Sequence, residues 1–560
     1  MKMLNVLDDR DSLRKKKFIV NQMYNERSSY ESVWTQLSKY INPYRGKFDE
    51  SKETGERKDM FLLDPMPQEA HAKCAAGLHS GLTSPSRPWF ELAIDDDEMQ
   101  DSHEVKQWLN ECKDMMMAIY AKSNIYNALQ QIEAELSLFG TAACLLREDY
   151  ESAIWARPFT CGEYAGAVDA RGKVCKFATK SVMPAYQVVK EFGYENCSNA
   201  VQTAYDNKNL QTTFEIWMLI EENDEYDEEE LSMGNFPWRS YFFESGGEKF
   251  LRVSGYYEQP FLMPRWTVIA NQTYGVGPGH SALGNCMQLQ KLEKINMRLL
   301  ENVANPPLVG PSIMGKLNRN PGAYNLVPDG SQAGIAPLFG NNGIGSRQDV
   351  YQSIQAKQSQ IQSAFFNDLF IMLSAQDNPQ MTAREVAERH EEKLLMLSPV
   401  LEQMHNEVLA PLTKRCFGIL LRHKVLPPAP QGVDVTRIKV DFVSLLAQAQ
   451  KMADVPAIEK TMAFMGNLAG INPEIVDNID FDKALREFGS KNGAPELIFK
   501  AEEEVQELRQ QRAEQQAQQQ QAEQMAQMAK PVKDSVEAAK LLADTPNTAG
   551  ASLYDIFGGM

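Results

Sequence analysis

Several common enzyme signatures are missing from this 560-residue sequence. Its eight cysteines form no Cys-X-X-Cys pair, so neither a zinc knuckle nor a disulfide framework is indicated, and we expect buried thiols. Seven histidines are scattered without an H-E-x-x-H spacing, and no G-x-S-x-G nucleophile elbow occurs. The sequence offers no coherent catalytic constellation, and it predicts neither a metal nor a cofactor.

Long apolar runs are also missing. Nowhere do 18 apolar residues follow one another, and the first 17 residues contain no apolar signal core. With 43% hydrophobic residues and a mean hydropathy of −0.41, the chain is typical of soluble proteins with a core. We therefore expect a cytoplasmic protein with no membrane partner.

The charge is strongly negative. Lysine and arginine number 57 against 75 aspartate and glutamate, which gives a formal net charge of −18. A chain of this charge repels nucleic acid at long range. Any contact with DNA must therefore be local or weak.

Helical and β-rich segments follow one another along the chain. Residues 11–40 and 102–146 have helical apolar spacing, whereas short β-rich runs begin near residue 150. The sequence predicts a mixed α+β fold that is mainly helical. Within the β-rich part, eight of the ten residues at 221–230 are acidic; calcium is one interpretation, but the spacing is not that of an EF-hand and favours a solvated hairpin loop.

Two rod-like helices are predicted, at 281–304 and 347–373, from apolar residues at steps of three and four. The first ends at Asn305-Pro306-Pro307, because proline lacks a donor and restricts the preceding residue. Between them, residues 305–346 hold six prolines and eight glycines. A connection this irregular favours a small projecting module with an interaction role.

Capping residues and prolines mark the boundaries of the segments after residue 373. A polar loop at 374–381 precedes a new helix, for which Thr382 and Glu385 form a capping box, and prolines at 399 and 411 should kink or divide that helix. Further helices are predicted from about 444 to 490. A glutamine-rich helix at 495–530 begins with proline and carries only a thin apolar stripe, and a tail follows at 531–560.

Three patterns imitate ligand sites. Gly275, Gly277 and Gly279 stand before a helix. A dinucleotide-binding turn has the pattern G-x-G-x-x-G, and His280 stands where its third glycine should be. The segment 310–316 has the G-x-x-x-x-G-K spacing of a phosphate loop, but the next residue is Leu317, where that loop needs Ser or Thr. The acidic cluster around His390 lacks the second histidine of a metal site. A nucleotide-binding enzyme built on either glycine-rich segment is the alternative hypothesis.

One basic pattern remains. Lys291, Lys294 and Arg298 fall on one face of the first rod. They could pair with Glu293, Glu301 or another subunit, or they could contact phosphates.

Six short motifs spread over residues 20–430 resemble those of the head-to-tail connector (portal) family of short-tailed phages. They are individually weak but collectively specific. They are Glu26-Arg27 with Tyr30 and Trp34, Leu82-Thr83-Ser84-Pro85 to Trp89-Phe90, Leu138-Phe139-Gly140-Thr141-Ala142, Tyr274-Gly275 to Leu283, Asn305-Pro306-Pro307, and Met381-Thr382-Ala383-Arg384-Glu385-Val386. A non-viral coiled-coil scaffold would need sustained heptads, which only 495–530 approaches.

The resemblance implies an architecture of wing, two-helix stem, clip and helical crown, assembled as a ring. The implied segments are a wing at 1–280, stem helices at 281–304 and 347–373, a clip at 305–346, a channel loop at 374–381, a kinked wing helix and return at 382–443, a crown at 444–494, a possible barrel helix at 495–530 and a tail at 531–560. Gly275, Gly277 and Gly279 then become a flexible elbow at the entry to the stem.

The resemblance also implies partners. It implies a homo-oligomeric ring, usually of twelve subunits, at one vertex of the virion capsid, assembled in the host cytoplasm. Double-stranded DNA passes non-specifically through its channel during packaging and ejection. The implied protein partners are the terminase large subunit, then tail adaptor or nozzle proteins, and the major capsid and scaffolding proteins.

The polar, uncharged side chains of Ser374, Gln376, Asn378 and Gln380 suit a loop that brushes a moving duplex. Replacing Gln376 and Asn378 with lysine should therefore slow packaging and increase DNA retention, because each added cation binds phosphate through counterion release. Packaging and retention assays check this. Unchanged values would contradict contact between this loop and DNA.

Overall fold

The computed structural model describes most of the chain up to residue 442 and three helical segments beyond it. The described residues are 10–48, 58–85, 88–94, 103–227, 235–305, 307–311, 318, 320–327, 336–337, 347–374, 399–430, 433, 438–442, 455–469, 480–491 and 505–517. They divide into two compact units, Met1–Ala457 and Ile458–Met560. Among them, no helix is both long and apolar enough to span a membrane.

Four helices open the first unit, as the apolar spacing predicts. They are α1 (Arg10–Tyr40), α2 (Met66–Leu82), α3 (His103–Lys122) and α4 (Ile125–Phe139). The helix α4 is buried from Ile132 to its end, which includes Glu133 and Glu135. It lies at the centre of the main apolar cluster, where it packs against α2 and α1.

The β-rich region forms two antiparallel sheets. The larger has the order β4 (Tyr164–Val168), β5 (Val174–Pro184), β6 (Thr213–Glu222), β7 (Trp238–Glu244) and β8 (Phe250–Tyr256). The smaller places β2 (Ala143–Asp149) between β3 (Ala153–Phe159) and β9 (Phe261–Leu262). Two short helices, α5 (Ala185–Phe192) and α6 (Asn199–Asp206), join β5 to β6. The α+β class is thus confirmed.

The acidic run at 221–230 begins inside the larger sheet. Glu221, at the end of β6, accepts hydrogen bonds from Lys16 and Lys176, and Glu222 is paired with Trp238 across the strands. Residues 228–230 lie outside the described part of the chain. In that part, no group of three or more metal-binding side chains occurs.

The first rod is α7 (Pro278–Ala304), which begins three residues before the predicted start. Proline is favourable there, because the first helical turn leaves its N–H groups unpaired in any case. Beyond it, β10 (Leu308–Pro311) pairs with β11 (Tyr324–Val327) and β12 (Ala336–Pro337). This small sheet lies within the segment predicted as a separate module.

The prediction of a single unbroken helix at 347–373 is wrong in one respect. The structure has two helices, α8 (Arg347–Ala364) and α9 (Asn367–Ser374), with a break at Phe365 and Phe366. Phe366 takes the left-handed conformation at φ +56°, and its ring stacks on Trp266. Tertiary packing of an aromatic ring thus interrupts a helix that contains neither proline nor glycine at this point.

Pro411 lies where the predicted helix is divided, whereas Pro399 is the first residue of this segment that the structure describes. Residues 399–404 are helical, His405–Leu409 form a π-helix, and α10 (Ala410–Arg422) follows directly. A π-helical turn places the proline at the start of a new α-helical segment, where its missing N–H is tolerated. The strand β13 (Ile438–Phe442) then returns to pair with β1 (Phe90–Ile94).

The second unit contains helical segments only, as far as the structure describes it. The helix α11 (Val455–Ala469) crosses the boundary between the units, and α12 (Phe481–Lys491) follows. Within the glutamine-rich segment, residues 505–517 are helical. Arg509 holds Asp482 through two hydrogen bonds of 2.7 and 2.8 Å.

Candidate functional site at the base of the long helix

The glycine-rich turn at residues 275–279 lies against the carboxyl end of α4. Gly275, Gly277 and Gly279 are all buried, and none has a left-handed backbone. Gly140, which ends α4, does have one, at φ +72°. The helix α4 therefore stops at a left-handed glycine, and α7 starts beside this end of α4.

Each of the three glycines is required by close approach of main chain. A Cβ on Gly277 would lie 2.8 Å from the Leu136 carbonyl oxygen, and one on Gly279 would lie 3.0 Å from the Leu138 carbonyl carbon and closer still to its oxygen. A Cβ on Gly275 would meet the Gly140 carbonyl oxygen. The sequence predicts a flexible elbow here, and in the structure this turn is packed against backbone on one side.

Backbone hydrogen bonds close the junction. Trp266 N–H donates to the Gly140 carbonyl at 2.9 Å, and Val276 N–H donates to the Thr267 carbonyl at 2.9 Å. Gly277 N–H donates to Nδ1 of His280 at 3.2 Å, which caps the start of α7. A phosphate cradle needs free N–H groups and open space in front of them. Here the end of α4 fills that space, so the nucleotide interpretation of Gly275–Gly279 is wrong.

The other face of the turn is aromatic. Tyr274 meets Tyr30 and Trp34 of α1 edge to face, with ring centroids 5.0 Å apart in both pairs. Its hydroxyl accepts from Gly166 N–H at 3.2 Å, and burial raises the pKa of Tyr274 well above its usual range. The phenol is therefore a neutral structural group.

The helix α1 is also tied to this junction by charge. Arg27 donates to the carbonyl oxygens of Gly162 and Tyr164 at 2.8 and 2.9 Å, and Thr273 donates to Glu26 at 3.1 Å. Residues of three widely separated sequence motifs thus contact one another around a single turn.

An ion pair joins the junction to the π-helix. Arg265, which is only 3% exposed, donates through its backbone N–H to Glu407 at 2.8 Å and through Nε at 3.0 Å. Its Nη2 also donates to the Gly172 carbonyl at 2.8 Å. Burial raises the pKa of Glu407, and Arg265 opposes this shift. Because three donors of Arg265, its backbone N–H, Nε and Nη2, converge on this carboxylate, the π-helical turn is fixed against the β-rich region.

A polar clamp near the middle of α7 has no motif in the sequence. Gln290 accepts from the N–H groups of Leu63 and Asp64 at 2.7 and 3.0 Å, and it donates to the Asp64 carbonyl at 2.9 Å. Gln358 of α8 donates to the Asp64 carboxylate at 2.8 Å. One loop therefore holds both long helices, and isolated glutamines give no signal that could have predicted it.

The other predicted residues are not part of the junction. Lys291, Lys294 and Arg298 are exposed on α7, and none forms an ion pair with Glu293 or Glu301, all five being described residues. Ser374 ends α9, while Gln376, Asn378 and Gln380 lie outside the described residues, as do Thr382 and Glu385. In the segment 310–316, Gly310 pairs with Leu326 in the small sheet, and 312–316 are not described.

A packed glycine junction thus attaches a long helix pair to an α+β body, and main chain occupies the place of a ligand. The chain belongs to the family of bacteriophage head to tail connecting proteins, whose model matches residues 15–499.

Two relatives match this chain over most of the length of both proteins. A "Probable portal protein" of Bordetella phage BPP-1 is 37% identical over 485 residues, covering 85% of this chain and 87% of the relative. The "Portal protein" of Salmonella phage epsilon15 is 36% identical over 497 residues, covering 87% and 89%. A chain from the neck of an empty gene transfer agent particle matches at a TM-score of 0.35 and 12% identity over 74% of this chain and 92% of that one, too remote to carry an argument.

Gly279→Ala should destabilise the subunit by about 1–3 kcal/mol, because the added Cβ must displace the backbone of Leu138. Gly284→Ala in the same helix is the matched control. Its Cβ meets no atom within 4 Å, so we expect no loss and a gain of up to about 1 kcal/mol. Thermal unfolding of both variants gives the comparison, and equal midpoints would contradict the packed junction.

His280→Gln should weaken the acid sensitivity of the subunit. Burial lowers the pKa of His280 to about 4, so the unfolded state binds more protons between about pH 6.5 and 4, and stability falls as the pH falls through that window. Glutamine at the same position can accept from Gly277 N–H but does not titrate. Unfolding midpoints measured across this window should fall less steeply in the variant; parallel curves would overturn the assignment.

Proposed function

We propose that this protein is the portal of a short-tailed phage, a ring at one capsid vertex through which double-stranded DNA is packaged and ejected. The observation that supports this most is the family match across 15–499 together with the junction that the motifs build. In a ring, every subunit must hold its helix pair at the same angle for the interface to close. A junction made of backbone contacts fixes that angle without side-chain adjustment.

The segments take the roles that the resemblance implies. Residues 1–280 form the wing, 281–304 and 347–373 the two stem helices, and 305–346 the clip that meets the terminase large subunit and then tail adaptor or nozzle proteins. Residues 374–381 form the channel loop, and 382–443 form the kinked wing helix and return. The crown is 444–494, the barrel helix 495–530 and the tail 531–560. Major capsid and scaffolding proteins surround the wing, and twelve subunits complete the ring.

The basic stripe has two candidate partners. Lys291, Lys294 and Arg298 are exposed and form no ion pair with Glu293 or Glu301, which favours partners outside the helix. What remains is contact with DNA phosphates or with acidic groups outside the subunit. The competing nucleotide enzyme has no support at Gly275–Gly279, where backbone fills the cradle.

Imaging and mass measurement of the purified protein test the proposal. Twelve subunits of 63.1 kDa give particles of about 0.76 MDa with a central channel, which we expect for the natural sequence. Gly277→Val should reduce ring yield sharply, because its side chain meets the Leu136 carbonyl, whereas Gly284→Ala should assemble normally. A monomer that binds nucleotide would refute the portal.

A further inference from the structure

Three arginines of the β-rich region converge on one glutamate. Nη1 of Arg147 in β2 and Nη2 of Arg252 in β8 lie 3.6 and 3.7 Å from Oε1 of Glu191 in α5. Arg157 of β3 lies on the same face of the smaller sheet as Arg147, with its guanidinium 5.0 Å from the ring centroid of Phe159. It forms no ion pair with a described residue. We call the surface formed by the three arginines the arginine cluster.

The arginine cluster holds more positive charge than the nearby carboxylates balance. Glu191 is beyond the usual hydrogen-bond distance from the two arginines that it approaches. Glu163, the other carboxylate that acts electrostatically on Arg157, is itself paired with Lys47 at 3.7 Å. Nε of Arg252 is buried and has no hydrogen-bond partner in the described part of the chain. These half-buried guanidinium groups therefore keep donors for a carboxylate from outside the subunit.

The acidic run after β6 offers carboxylates of this kind. Glu222, Asp224, Glu225 and Asp227 are all exposed. Arg239 lies 3.6 Å from Glu225, whose side chain is nevertheless 84% exposed. Glu222 and Asp224 form no ion pair with any residue that the structure describes. We call the surface formed by these four acidic residues the acidic loop.

Within one subunit, the larger sheet separates the acidic loop from the arginine cluster. Arg239, which approaches the loop, shares the face of β7 that carries Tyr241, and α1 covers this face. Arg252 lies opposite Phe242 on the other face, with its guanidinium over the rings of Phe242 and Phe192. Phe242 is also four residues from the start of β7, about 13 Å along the strand. The acidic loop is therefore held on the side away from its own arginine cluster.

A ring of identical subunits needs two different surfaces that complement each other, because each subunit contacts its neighbours head to tail. The acidic loop and the arginine cluster have opposite charge and lie on opposite faces of one sheet. Opposite charges across an interface fix its register and exclude wrong pairings. Exposed aromatic residues accompany both surfaces: Trp155 is opposite Arg147 across the strands, and Tyr226 lies within the acidic loop. Aromatic and arginine side chains are the types that contribute most to binding at interfaces.

We propose that the acidic loop of one subunit docks on the arginine cluster of its neighbour, with Arg147 and Arg157 binding the carboxylates of Asp224 and Glu225. This inference rests on the proposed ring and specifies the surfaces through which its β-rich regions are joined. A second copy of the chain is the occupant that the charges favour, because the complementary surface is present on every subunit.

Charge reversal on either surface tests the contact. The cluster variant is Arg147→Glu with Arg157→Glu, and the loop variant is Asp224→Lys with Glu225→Lys. Each brings like charges together, so at about 50 mM salt the yield of rings should fall roughly tenfold. Thermal unfolding of the free subunits shows that each variant is folded. Arg147→Gln with Arg157→Gln is the milder form and should lower the yield less.

A matched control separates this contact from a general effect of charge. Lys122→Glu with Arg171→Glu changes the net charge as much as the cluster variant does, at two exposed positions outside both surfaces. Rings should form as they do from the natural sequence. A loss equal to that of the cluster variant would overturn the inference.

Mixing the two reversed variants separates a contact between subunits from one within a subunit. In a ring of even number the variants alternate, so that every reversed surface meets its complement, and an equimolar mixture should form rings again. One chain with all four substitutions should also assemble. Assembly of that chain without assembly of the mixture would place the contact within one subunit and overturn the inference.

Particle images of the natural protein and of all variants give the remaining outcomes. Normal rings from both reversed variants, or no rings from either the mixture or the chain with all four substitutions, would refute this inference alone. If the natural sequence forms no rings, the proposed function is refuted and this inference with it. Loss in each reversed variant, recovery in the mixture and an unaffected control are the results that we expect.

Discussion

The contact between the end of α4 and the start of α7 is the constraint on which the rest of the subunit depends. Gly140 turns the chain out of α4 in the left-handed conformation, and Gly277 and Gly279 bring the first turn of α7 onto the carbonyl groups of Leu136 and Leu138. At this separation no side chain fits, so the position of α7 is set by backbone geometry. The aromatic contacts of Tyr274 then attach α1 to the same turn.

A buried ion pair stabilises the same junction. Arg265 lies beside Gly275 and holds Glu407, so the π-helical turn before α10 is connected to the glycine junction. Removing one partner of such a buried pair leaves an uncompensated charge, which costs more than the intact pair contributes. The Asp64 loop acts farther along the helices, where it holds α7 and α8 together. A helix pair fixed at two levels is suited to a ring in which all copies must be alike.

Much of this could be predicted from sequence, for identifiable reasons. Helical periodicity predicted α7, and proline at 306 and 307 predicted its end, because both signals are local. The break at Phe366 could not be predicted, since it depends on stacking with Trp266, about a hundred residues away in sequence. The glycines at 275–279 were visible, but glycine permits both flexibility and close approach, and only the position of α4 decides between them. The contact between Gln290 and Asp64 could not be predicted either, because isolated polar residues give no signal of their partners.

We infer that the junction holds α7 rigidly against the end of α4. Spin labels on introduced cysteines at Asn25 of α1 and Gln288 of α7, both exposed, measure this directly through their distance distribution. Seven of the eight natural cysteines are buried, which limits competing labelling. With labelled subunits diluted in unlabelled ones, a packed junction predicts one narrow distance that is the same in free subunits and in rings. A broad distribution, or a distance that changes on assembly, would contradict it.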